Sequence, residues 1–246
     1  MDDVSSVFAG SDGSGLPQDS NDLRAERAVS DFDARHRLAI SAVYDLPFGK
    51  LWKGVGGWRE ALLDHWQMAG ILTAQSGSPF TVNLAAAQTG SAIAAFGNPA
   101  RPDLIADPFK AGPVMANPDP ACHATISHGG SAADVVHQPG SWFNPCAFAE
   151  PPLTPFGLPA FGTAGRNILI GPAFSNLDLS LSRTIPLLAE NRRLQIRGEF
   201  FNATNHPNLD IPNHVFGSPT FGQVLSANAY GNKPPRQVQL GLKYIF

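Results

Sequence analysis

Cys122 and Cys146 are the two residues of this chain whose type and spacing first suggest chemistry. They stand 24 residues apart, in a stretch with no strand or helix period. Joined, they would close a loop worth roughly 3 kcal/mol in the chain-entropy picture. Spacing alone does not establish the geometry a disulfide needs, so a bonded pair and two free thiols both remain open. His123, His128 and His137 lie between these cysteines but match no finger or ribbon spacing, so no metal site is expected. GTAGRN at 162–167 resembles a phosphate loop superficially, yet it lacks the GK[ST] ending and opens no helix. Ser76 and Ser78, in QSGSP, lack the frame of a nucleophile elbow. Asn202 heads a formal Asn-Ala-Thr acceptor and reads better as strand-end and turn chemistry. Asp178 and Glu199 are carboxylates on neighbouring segments, and pairing with Arg197, Arg183 and amides in a polar interior is their expected role. No nucleophile-and-base set and no cofactor motif stands out, so neither a catalytic residue nor a cofactor is expected.

Five segments that could carry these side chains alternate with period two, the signature of strands with unlike faces. In 36–46, Leu38, Ile40, Ala42, Tyr44 and Leu46 share one face, and Arg37 and Asp45 lie on the other. In 64–75 the apolar set is Trp66, Met68, Gly70, Leu72 and Ala74. Leu177, Leu179 and Leu181 form it in 174–184, and Leu194, Ile196, Gly198 and Phe200 in 194–202. The last segment, 236–246, places Val238, Leu240, Leu242, Tyr244 and Phe246 opposite Gln237, Gln239, Gly241, Lys243 and Ile245. Each segment has about the length of a tilted strand crossing a bilayer, roughly 9–11 residues.

The connections are unequal. Residues 1–35, 76–173 and 203–235 are long and rich in Gly, Pro and small polar residues; 47–63 and 186–193 are shorter. With Phe246 on the periplasmic side, every long connection falls outside and every shorter one inside, the asymmetry of outer-membrane barrels. A loop of nearly a hundred residues is unusual in a compact soluble domain. The same parity turns Arg37, Asp178, Arg197, Glu199 and Lys243 toward the lumen. Within the strand bounds drawn above, no Lys, Arg, Asp or Glu stands between the first and last apolar residue of any apolar face. Such a charge near mid-bilayer would cost about 2–4 kcal/mol. Tyr44, Phe48, Trp52 and Trp58 gather at the first short connection, as an interfacial girdle would. The expected fold class is therefore all-β: an antiparallel transmembrane β-barrel segment of about five strands with long outer loops, placed in the cell outer membrane. Phe80–Leu84 could prolong the second strand, and 21–29 contains good helix formers inside an otherwise loop-like start.

Composition agrees. Charged residues are 15% of the chain, against roughly 25% in ordinary soluble domains. With 24 glycines and 22 prolines, turns are abundant. The net charge of −3 carries no basic block, so no nucleic-acid partner is expected. No apolar run is long enough for a spanning helix. The polar, acidic start MDDVSSVFAGSDGSG is no signal peptide, which fits either a cytosolic protein or a piece of a longer one.

As a set, several segments resemble the C-terminal barrel of TonB-dependent outer-membrane receptors, in particular the Oar-like group with a carboxypeptidase-regulatory-like N-terminal domain. They are SDFDARHRLAISAVYDLPFG at 30–49, MAGILTAQSGSPFTVN at 68–83, WFNPCAFAEPP at 142–152, FGTAGRNILIGPAFSNLDLSLSRTIPL at 161–187, LQIRGEFFNATNHPNLDIP at 194–212 and RQVQLGLKYIF at 236–246. They run in family order over most of the chain. The resemblance implies a barrel of about 22 strands around an N-terminal plug, importing a scarce substrate with energy delivered through TonB. Tyr244 and Phe246 resemble the terminal signal read by the β-barrel assembly machinery. Outer-membrane lipid, that machinery, the TonB system and an unknown imported substrate are the implied partners. The chain departs from the pattern in having no plug, no TonB box and only about five strands, which reads as the C-terminal piece of a longer receptor. A structural or adhesive outer-membrane barrel and a secreted soluble β-rich enzyme are the alternative readings.

Overall fold

The computed structural model describes residues 17–19, 21–47, 65–85, 100–123, 135–155, 160–187, 192–227 and 235–246. Their chain contacts divide into two compact units. One comprises residues 35–76, 173–208 and 228–246; the other comprises residues 1–34, 77–172 and 209–227.

The first unit is a sheet of five antiparallel strands: β1 (Arg37–Leu46), β2 (Trp66–Gln75), β8 (Phe174–Pro186), β9 (Arg193–Phe201) and β11 (Gln237–Ile245), ordered β1-β2-β8-β9-β11. Every neighbour in the sheet is the next of these strands along the chain. The expected segments lie within two residues of the observed strands at every end. A ten-residue strand such as β1 rises roughly 3.4 Å per residue; tilted by about 45° it spans about 24 Å, close to the ~25 Å apolar band of outer-membrane barrels. The strand ends are closed by asparagine chemistry. Asn202, with φ of 48°, donates its backbone N–H to Asp178 Oδ1 at 2.9 Å, while its own Oδ1 accepts from the His206 N–H at 3.0 Å. Asn205 Oδ1 accepts from the Arg236 N–H at 3.1 Å, and Asn208 Oδ1 from the Ser175 N–H at 2.9 Å. Asparagine tolerates the left-handed region and offers a short carbonyl to orphan backbone donors. FNATNHPN therefore finishes β9 and fastens the starts of β8 and β11.

In the second unit, residues 76–173, expected as one long outer loop, carry short strand pairings of their own. Its strands are short: β3 (Pro79–Phe80), β4 (Asn83–Leu84), β5 (Asp103–Leu104), β6 (Phe148–Ala149), β7 (Leu169–Ile170) and β10 (Val215–Phe216). β3 pairs with β7, β5 with β6, and β4 runs parallel to β10. Residues 80–84 thus do not prolong β2; they turn into pairings of their own. Phe80, Val82, Phe143, Ala147, Phe148, Ala164 and Leu169 form a buried core, with Phe216 and Phe221 packed against it. Phe143 and Phe221 meet edge to face at 5.0 Å, and Phe143 and Phe148 at 5.7 Å. Such tilted contacts are worth about 0.5–1.5 kcal/mol each beyond the area they bury.

Polar groups complete this unit. Asn144 is fully buried: its Nδ2 donates to the Lys110 and Gly112 carbonyls, and its Oδ1 accepts from the Cys146 N–H. Residues 21–29 form no α-helix. They make a run of hydrogen-bonded turns that delivers Glu26 to Arg101 in a buried two-pronged ion pair of 2.7 and 2.8 Å. Gln18 accepts from the Arg101 N–H and donates to the Gly162 carbonyl. A Cβ at Gly162 would land on the carbonyl oxygens of Arg101 and Pro102, so only glycine allows this approach.

Candidate lipid face and lumen wall

Register decides whether the five apolar faces coincide, because directly paired residues project from the same side of a sheet. Leu38, Ile40, Ala42, Tyr44 and Leu46 pair with Ala74, Leu72, Gly70, Met68 and Trp66. From there Met68 pairs with Leu181, Gly70 with Leu179 and Leu72 with Leu177. Leu179 meets Phe200, and Leu181 meets Gly198. The row ends with Phe200 against Val238, Gly198 against Leu240, Ile196 against Leu242 and Leu194 against Tyr244. One side of the sheet is therefore apolar along these rows, with Arg183 as its one charged member among the described residues. It is also bare: Leu240 is 81% exposed, Leu242 71%, and Leu38, Ile40, Tyr44, Met68, Ile196 and Val238 are exposed with them. An apolar surface this continuous across five strands has no place against water.

The opposite side carries the polar residues. Arg37 faces Gln75, and Asp45 faces Gln67, whose Nε2 donates to Asp45 Oδ1 at 2.9 Å. Arg197 and Glu199 form an exposed ion pair at 3.3 Å and stand opposite Ser182 and Ser180 on one flank and Gly241 and Gln239 on the other. Lys243 faces Gln195. Asp178 shares this side, but its carboxylate is engaged by the Asn202 backbone. Asp178 and Glu199 thus have separate partners. Val43, Ile71 and Ile245 interrupt this side as exposed aliphatics.

Arg183 departs from its expected place. β8 continues to Pro186, and register sets Arg183 opposite Trp66 and Ile196, on the apolar side, between Leu181 and Ile185. Its guanidinium lies 5.8 Å from the centre of the Trp66 ring, within cation–π range. It lies near the end of β8, toward the short connections, and is buried there. It does not join the carboxylates of the polar side.

Cys122 and Cys146 are joined as a disulfide with Cα atoms 5.6 Å apart. Both are buried beside Val114, Ile105 and Ala106. His123 Nε2 lies 2.8 Å from the Asn117 carbonyl oxygen, and His137 stacks on Phe109 at 5.2 Å. His128 lies outside the described residues, as do Phe48, Trp52 and Trp58 of the expected girdle. Among the described residues no His, Cys, Asp and Glu gather as a metal cluster. Ser76 Oγ accepts from the His36 N–H, and the Ser78 carbonyl from Gly171. In GTAGRN, Ala164 is a core residue and Asn167 exchanges hydrogen bonds with Thr81. Tyr244 and Phe246 stack at 5.9 Å, with Phe246 91% exposed.

Sequence reasoning missed the Glu26–Arg101 pair, whose partners stand 75 residues apart without local pattern. It also missed the folding role of WFNPCAF at 142–148. A signal for that role existed: Trp142, Phe143 and Phe148 stand among small residues, denser in aromatics than an exposed loop requires.

A family model described as an outer membrane beta barrel domain matches residues 1–239. No curated protein and no solved structure matches the chain. The match spans nearly the whole sequence, and the chain belongs to this family. Its setting is the outer membrane.

Proposed function

We propose that this outer-membrane β-barrel family member is the C-terminal wall of a TonB-dependent receptor of the Oar-like kind, working in substrate import as part of a larger barrel. The register supports this reading most directly, since all five strands share one apolar side and one polar side. Among the described residues β1 pairs only with β2, and β11 only with β9. Two open edges suit a segment completed by further strands, because open edges do not survive in hydrocarbon. The long connections support a receptor over a bare pore. They carry a buried aromatic core, a disulfide and a buried ion pair, so they can present a fixed surface to a substrate.

In this reading, lumen residues such as Arg37, Arg197, Glu199 and Lys243 keep the interior wet. Tyr244 and Phe246 are read by the assembly machinery, and no residue is catalytic. Energy arrives through TonB by way of a plug. The test is in-cell photocross-linking between the full-length protein and TonB. Adducts that require an energised inner membrane are expected. A properly assembled barrel yielding no adduct would instead favour the structural or adhesive reading.

A further inference from the structure

The disulfide sits where no protein catalyst can reach it. Cys122 and Cys146 are 4% and 2% exposed, packed with Val114. The backbone around them is committed as well. The Val114 N–H donates to the Cys122 carbonyl, Asn117 Nδ2 donates to the Cys146 and Phe148 carbonyls, and the Cys146 N–H is held by Asn144. Thiol–disulfide exchange needs a thiolate attacking a sulfur through a mixed disulfide, so both partners must have access. Access is lost once this core has closed. Of the spaces an outer-membrane protein crosses, the periplasm is the one kept oxidising by a thiol-oxidising relay.

We infer that Cys122 and Cys146 are substrates of a periplasmic dithiol–disulfide oxidoreductase, and that they are joined before the barrel is assembled. One cysteine thiolate attacks the oxidoreductase disulfide, forming a mixed disulfide and releasing one oxidoreductase thiolate. The second cysteine thiolate attacks the mixed disulfide at the first cysteine's sulfur, closing Cys122–Cys146. The oxidoreductase leaves as a dithiol, having gained two electrons, and the two cysteine protons pass to solvent or to its thiolates. The long connection between β2 and β8 therefore enters barrel assembly already cross-linked, and the machinery accommodates a closed loop rather than an extended chain.

Pulse–chase labelling of the full-length protein with a maleimide-polymer gel shift tests this, since each free thiol adds one polymer. In cells depleted of the barrel assembly machinery, the unassembled chain is expected to lose the two-polymer shift at the normal rate. In cells lacking the periplasmic oxidoreductase, the shift should persist. A chain carrying Cys146→Ala should be captured as a mixed disulfide with the oxidoreductase, because the second attacking thiol is missing. Oxidation that waits for assembly, or proceeds at an unchanged rate without the oxidoreductase, would overturn the inference.

Discussion

The two units of this protein are stabilised by opposite means. The five-stranded sheet has backbone pairing and almost no buried apolar side chains of its own; much of its apolar side is exposed. The unit built from the long connections has strands only two residues long, yet it holds the buried Phe143 and Phe148, the disulfide and the Glu26–Arg101 pair. In a bilayer the backbone must satisfy itself, and side chains can be left to lipid. In water, chain built from Gly, Pro and small residues must bury aromatics to hold a shape. Substitutions should therefore act on one unit and spare the other.

The largest separation is expected from Phe143→Ala. Removing a fully buried phenylalanine typically costs about 3–5 kcal/mol. Limited proteolysis of intact cells should then cut the long connections, while heat-modifiable migration of the barrel stays as in the parent. Barrel loss in parallel with loop cutting would erase the distinction between the units. Glu26→Ala ranks next, because breaking a buried ion pair from one side costs about 3–5 kcal/mol, here leaving the Arg101 charge buried. Residues 17–33 should become protease-sensitive first, and Arg101→Met in the same chain should restore part of the protection. If Glu26→Ala leaves protection unchanged, the ion pair does not hold that segment.

Within the sheet, neighbours in sequence should differ. Leu240→Arg places a charge on the lipid face at about 2–4 kcal/mol and should lower the outer-membrane yield of the full-length protein. Gln239→Arg, on the lumen face, should leave the yield near the parent's. Equal losses would mean the faces are misassigned. The smallest effect is expected from Arg197→Ala, since exposed ion pairs contribute about 0.2–1 kcal/mol. Its urea unfolding midpoint in detergent should barely move, and a large shift would show that the pair with Glu199 carries more than an exposed contact.

How much of this was legible in the sequence differs between the units for the same physical reason. A strand between lipid and water must alternate, so Leu38 to Leu46 and Val238 to Phe246 mark themselves and fix their register. Arg183 lay inside the expected strand and on the parity of Leu177 to Leu181, but beyond the last leucine of that face, so it read as polar interior until register placed it opposite Trp66. The other unit has no period to read. Its pairings join residues far apart, such as Phe80 with Leu169 and Leu104 with Phe148. Its polar joints depend on single side chains such as Asn144 and Glu26. The cysteines were visible as a pair, but their bond rests on backbone placement that 24 residues of spacing cannot reveal. The Asn202 turn was legible because asparagine and proline at a strand end carry their own chemistry.

The central claim is that the sheet separates lipid from water residue by residue. Spin labels placed singly along β11, from Gln237 to Ile245, in the full-length protein reconstituted into bilayers test it most directly. The account predicts that collisions with oxygen peak at 238, 240, 242 and 244, and that collisions with a water-soluble nickel chelate peak at 239, 241 and 243. Accessibility without period two, or with the opposite phase, would contradict it.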